Sequence, residues 1–166
     1  MLSLLDSPVV FCHDDISMAT GPVCKPSWYE TYIFPRYREL WEIVHAHGKK
    51  AFFVADGNLD WALGALRGSG CDGIMFESPA TNLDAVVDVW GDAFFIGGID
   101  AQVLSGGSTS DVREHVDAVD RKTRRHLGFA LCCSGGLVGN MPLANLESYF
   151  DARAQHGYTV SPWRCG

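Results

Sequence analysis

Apolar residues along this chain fall in short unbroken runs separated by polar or glycine-rich turns. Four runs rich in Val, Ile and Phe stand out, at Val9–Cys12, Ala51–Val54, Ala93–Ile96 and Phe129–Cys133. Runs of that length closed by turn residues predict strands buried on both faces. A weaker run, Gly73–Glu77, follows the Gly-Cys-Asp-Gly turn at Gly70–Gly73.

Helical spacing fills the intervals. Ser27 and Glu30 have the Ser-x-x-Glu spacing of a capping box, and Tyr37, Leu40, Trp41 and Val44 continue an apolar stripe up to Gly48. Pro35 should kink or split that element, because proline has no N–H to give the helix. Asn82–Gly91 reads as a helix with an Asn cap and a terminal glycine. Val112, Val116 and Val119 mark another, opened by the Ser108–Asp111 cluster and ended by basic residues. The last carries Leu143, Leu146 and Phe150 and closes at Gly157; the tail from Tyr158 is either a sixth short strand or a loose end.

Strand then helix therefore recurs along the chain, at about the 30-residue spacing of a parallel strand with its crossover helix. The expectation is one α/β domain over residues 1–166 built of parallel (βα) repeat units. The composition agrees, with 166 residues of which 47% are hydrophobic. Thirteen Lys and Arg against 20 Asp and Glu give a net charge of -7, which offers nothing to nucleic acid or to an anionic membrane. The first residues lack the pattern of a signal peptide, and the six cysteines show no Cys-x-x-Cys pair. A cytoplasmic protein with reduced thiols is the simplest expectation.

Several short motifs keep a telling order. His13-Asp14-Asp15 follows the first strand, then come Pro26-Ser27-Trp28-Tyr29 and Pro35, and Asp56-Gly57-Asn58 follows the second strand. Gly70-Cys71-Asp72-Gly73 precedes the third, Gly97-Gly98-Ile99-Asp100 follows the fourth, and Pro142-Leu143-Ala144-Asn145 opens the last helix. From about Val9 to Gly157 this series resembles the uroporphyrinogen decarboxylase superfamily, which includes the corrinoid-dependent methyltransferases. The resemblance implies a TIM barrel, with these five units as its C-terminal part. A barrel has eight strands, so the expectation is a partial barrel short by three units. Its bare edges and uncovered face would favour a homo-oligomer or a complementary barrel chain.

Reactive groups in such folds collect beyond the carboxyl ends of the strands. That rule selects Asp15, Asp56 and Asp100 as candidate catalytic residues. Asp14, Gly57, Asn58, Glu77, Gly98 and Ser134 join them as candidate substrate-binding residues. Clustered carboxylates can hold a cation or supply a general acid; the plainer reading is that Asp, Asn and Ser after a strand cap the next helix. Glycines at 57 and 98 either let the backbone approach a ligand or simply make a tight turn. The resemblance favours a small-molecule ligand, tetrapyrrole-related or a methyl donor.

The resemblance also bears on cofactors. The methyltransferases hold zinc with a His-x-Cys pair and a further Cys, and the matching positions here are Val54, Asp56 and Gly135. All three ligands are missing, so no metal is expected, although Cys12, His13, Cys132 and Cys133 leave room for a rebuilt site. Any corrinoid would sit on a partner protein. The decarboxylases need neither metal nor cofactor, but the Arg-rich segment that grips their substrate belongs to a part of the family fold not matched here, and Gly135 stands where a His is common. Decarboxylation and methyl transfer are the activities implied; a non-catalytic split barrel acting with a partner is the alternative. His45, His47, His115, His126 and His156 read as solvated helix residues, Trp28, Tyr29 and Tyr32 as core or pocket lining, and Ser105–Ser108 as a flexible loop.

Overall fold

The computed structural model describes residues 6–133 and 135–158. In chain order the elements are β1 (Val9–His13), β2 (Ser17–Met18), β3 (Gly21–Pro22), α1 (Pro26–Tyr32), α2 (Phe34–Ala46), β4 (Lys50–Ala55) and α3 (Leu63–Gly68). They continue with β5 (Gly73–Phe76), α4 (Leu83–Trp90), β6 (Phe94–Ile99), α5 (Ala101–Gly106), α6 (Thr109–Thr123), β7 (Phe129–Cys133) and α7 (Leu143–Gln155). Strands β1, β4, β5, β6 and β7 form one five-stranded sheet in that order, and every pairing is parallel. The two-residue strands β2 and β3 make a small antiparallel hairpin after β1.

A sheet in which each strand is added on the same side as the last, with right-handed crossovers, places all its helices on one face. Period-two alternation agrees. Ala51, Phe53, Ile74, Phe76 and Phe95 point into the core shared with Trp41 and Trp90, all of them under 3% exposed. A second core cluster joins Ile99, Leu104, Val112, Val116 and Tyr149 under α5, α6 and α7. Strand order, direction and one-sided helices together make a partial TIM barrel of five (βα) units.

Burial on both faces does not hold for every strand. On the helix-free face Phe11 is 54% and Phe94 49% exposed, and they flank the buried Phe52 with ring centroids 5.4 and 6.0 Å away. Phe52 pairs in register with Gly73, and a Cβ on Gly73 would come within 2.4 Å of its ring. Among the described residues nothing packs over the outer aromatics of this face.

Local signals explain most helix ends. Asn82 Oδ1 accepts from Asp84 N at 2.9 Å at the start of α4, and Ser108 with Asp111 forms a reciprocal capping box on α6. Pro35 does split the first helical stretch, since α1 gives way at Ile33 to α2, where Pro35 sits harmlessly in the first turn. The Ser27–Glu30 capping box does not form. Pro26, with its φ preset for the first helical position, starts α1 behind Lys25, so Ser27 lies inside the helix and its carbonyl accepts from Thr31 Oγ1. Ser105 and Gly106 belong to α5 rather than to a loop. Tyr158 is not in a strand, and the remainder of the predicted sixth strand lies outside the described residues. No helix among the described residues is long and apolar enough to cross a membrane.

Candidate active site at the carboxyl ends of the strands

The sheet carries the predicted site residues that are described to the carboxyl ends of the strands and divides them into two groups. The first lies at β1 and β4. Their register sets His13 opposite Val54, and Asp14 N donates to Val54 O at 3.1 Å, continuing the ladder one residue past the strand. Asp15 and Asp56 each follow two residues later. His13 Nε2 lies 3.1 Å from Asp15 Oδ1, and one ligand-type atom from each of His13, Asp15 and Asp56 falls within 4.8 Å of the others. All three side chains are exposed.

The neighbouring carboxylates are already engaged. Asp14 accepts from the Tyr37 hydroxyl at 2.5 Å, and burial with this contact holds the phenol well above its ordinary pKa. Glu77 Oε2 accepts from Gly57 N at 2.8 Å, tying the end of β5 to the loop after β4. That loop is held from the other side by the hairpin, where Asn58 N donates to Met18 O and Ser17 Oγ to Asn58 O. Gly57 has φ +79°, and a Cβ there would stand 2.8 Å from the backbones of Ser17 and Met18. Its close approach is therefore to the β2–β3 hairpin, which fixes the backbone beside Asp56.

The second group surrounds a cavity of about 540 Å³ lined by Asn58, Asp60, Asn82, Gly98, Asp100, His115 and Lys122, among others. Asp100 Oδ1 caps α5 by accepting from Gln102 N at 2.8 Å, and the Asp100 amide donates to His115 Nε2 at 3.0 Å. Because Nε2 accepts, the His115 proton sits on Nδ1. Burial lowers its pKa, and the charge of Asp100 and a hydrogen bond to Gly98 only partly oppose this. Lys122 is paired with Asp84 at 2.7 Å. Gly98, at φ +94°, has no room for a Cβ because Val119 of α6 would lie 2.9 Å away.

Asp15 and Asp56 thus meet in one group, Asn58, Gly98 and Asp100 in the other, and Asp14, Gly57 and Glu77 brace the first. Ser134 lies outside the described residues. The sequence offers His13 only as a possible ligand of a rebuilt metal site and His115 only as a solvated helix residue. His13 ends β1, and only the β1–β4 register reveals that it faces Asp56. His115 is half-buried rather than solvated, because α6 lies across the end of β6.

An all-parallel five-stranded sheet in sequential order with helices on one side defines a partial (β/α) barrel, with acidic groups at the carboxyl ends of its strands. The family model described as Uroporphyrinogen decarboxylase (URO-D) matches residues 7–156, and the chain belongs to that family. No curated protein matches it.

Zinc held by thiolates, as in the methyltransferase branch, can be tested against these residues. Val54 is a half-buried aliphatic residue in β4, and Gly135 is a turn residue at φ +71°. Cys132 and Cys133 lie on β7, at the opposite edge of the sheet from β1. Cys133 faces the helix-side core, where burial pushes its thiol up to about 11. Cys12 packs against the other core cluster, on the face of β1 opposite His13. These residues do not fit a thiolate zinc site.

Proposed function

We propose that this chain is an enzyme that decarboxylates a small carboxylated molecule, tetrapyrrole-related in the first instance, at the carboxyl ends of its strands. The observation that carries the reading is the meeting of His13, Asp15 and Asp56, exposed, at the mouth of a domain of this family. Decarboxylation breaks a C–C bond, releases CO2 and leaves an electron pair on carbon that a proton must quench. Water held by Asp56 and Asp15 is placed to deliver that proton. Asn58, Gly98 and Asp100 line the adjoining cavity and bind the substrate's polar periphery, with Asp14, Gly57 and Glu77 as supports. Methyl transfer is the weaker reading because the thiolate site does not fit. Five described cysteines without a disulfide accord with a reducing, cytoplasmic setting.

The test is anaerobic incubation of the purified chain with uroporphyrinogen, followed by chromatography of the oxidised porphyrins. Stepwise loss of carboxyl groups is expected, falling by ~100-fold or more in Asp56→Asn. A folded chain that consumes no carboxylated pyrrole, or an Asp56→Asn variant as active as the wild type, would overturn the proposal.

The alternative, a half-barrel that works only with a partner chain, draws on a separate observation. Phe11 and Phe94 stand exposed on the helix-free face, between sheet edges that no described residue pairs. Native mass spectrometry distinguishes it: a chain active as a monomer excludes the partner requirement, and activity confined to a dimer or mixed complex supports it.

A further inference from the structure

We propose that His13, Asp15 and Asp56 bind one divalent transition-metal cation, held on the paired ends of β1 and β4. The inference deepens the functional reading above and rests on it in one respect, the expectation of a carboxylated substrate.

The geometry comes first. Metal–ligand bonds of ~2.1 Å put neighbouring ligand atoms about 3.0 Å apart in an octahedral site and about 3.4 Å apart in a tetrahedral one. His13 Nε2 and Asp15 Oδ1 are 3.1 Å apart, and the whole set spans no more than 4.8 Å. Small rotations of exposed side chains close that gap. The backbones beneath do not need to move. Ladder bonds fix β1 against β4 as far as Asp14, and Gly57, wedged between the hairpin and Glu77, fixes the turn that follows Asp56.

The donor set decides which cation. One imidazole with two carboxylates suits zinc, manganese, iron or cobalt, whereas magnesium and calcium favour oxygen alone. Three protein ligands leave the solvent side open for water or substrate, the arrangement of catalytic rather than structural metal sites.

Electrostatics supplies a separate argument. Among the described residues none of Asp14, Asp15, Asp56 and Glu77 is ion-paired to a lysine or arginine; the pairs formed by Arg36, Lys50, Arg67 and Lys122 lie elsewhere. A carboxylated substrate arriving at the ends of β1 and β4 meets like charge from these four carboxylates. A dication on the triad neutralises Asp15 and Asp56 and gives a substrate carboxylate a counter-charge. Water on its open side then serves as the proton donor.

Titration of the metal-stripped 166-residue chain with Co2+, followed by calorimetry and visible absorption, tests the site without any turnover. One equivalent should bind, with nitrogen and oxygen ligand-field bands and no sulfur-to-cobalt charge transfer. Equal Mg2+ should not displace it. His13→Ala and Asp56→Asn should each weaken binding by about tenfold or more, while Asp92→Asn, on the far exposed pair with Arg67, should not. Circular dichroism melts establish that each variant is folded. Absence of saturable binding, a thiolate band, or affinity indifferent to both triad variants would overturn the proposal. A chain that releases CO2 yet takes up no Co2+ would refute the cation and leave the decarboxylase reading standing.

Discussion

Replacing Gly57 with alanine tests whether the hairpin is what fixes the loop beside Asp56. At φ +79° an L-residue costs ~1–2 kcal/mol in the left-handed region. The added Cβ would also lie 2.8 Å from Ser17 O and from Met18 C and O, and these are backbone atoms that cannot swing aside. Overpacking of this kind costs ~1–3 kcal/mol. Together the two effects reach about 2–5 kcal/mol, a large share of the 5–15 kcal/mol typical of a domain. Gly48 provides the control, because it has φ +67° but open space around its missing Cβ. Its alanine variant bears the backbone cost alone. The entropy that alanine removes from the unfolded chain is common to both variants and cancels in their difference. Urea denaturation of the two variants should therefore separate them by about 1–3 kcal/mol at equal m-value. If Gly57→Ala is no less stable than Gly48→Ala, the hairpin yields to the side chain and does not fix the loop.

Three further outcomes follow from the same structure. Burial alone would raise the pKa of Asp72, but hydrogen bonds from Lys50, the Ala51 amide and His45 outweigh it, so the carboxyl titrates below its ordinary range. Its stabilising effect is complete above the ordinary carboxylate pKa and disappears as pH falls through the lower folded value; the stability gap between wild type and Asp72→Asn should close over that acid window in urea melts. His115→Ala leaves the Asp100 amide without its acceptor and should cost ~1–3 kcal/mol. Because folding lowers the pKa of His115, its titration destabilises the wild type as pH falls below the ordinary imidazole value, and the variant should lack that part of the pH profile. In alkylation at pH 8 read by peptide mass, exposed Cys24 should react first, and buried Cys71 and Cys133, with thiols pushed up to about 11, last.

The strands were legible because each is a compact apolar run between turn residues, and Phe129–Cys133 matches its predicted bounds outright. Pro35, Asn82 and the Ser108–Asp111 pair acted locally and could be read locally. The six-residue helices α3 and α5 were not delimited, since six residues hold too few turns to show a period. The hairpin at Ser17–Pro22 has two-residue strands and no alternation to reveal it. Ser27 misled because Pro26 competed for the helix start. At the mouth, the residue types were visible but their grouping was not. Whether Asp56 meets His13 or Asp100 depends on strand register and on where α6 crosses, and neither is written in the spacing of the motifs.

The linear strand order also has a mechanical consequence. Among the described residues each strand of the sheet bonds only to its neighbours in the order, so no ladder spans the whole sheet and no pairing joins its two edges. The domain is in this sense a stack, with nearest-neighbour couplings like those of a repeat array. Its middle, β5, is supported on both sides, while β1 and β7 each rest on a single ladder. Amide exchange should slow progressively from either edge toward β5. The metal-binding group proposed at β1 and β4 therefore sits on the looser end of the stack, where a ligand that clamps those two strands together would stiffen the edge most.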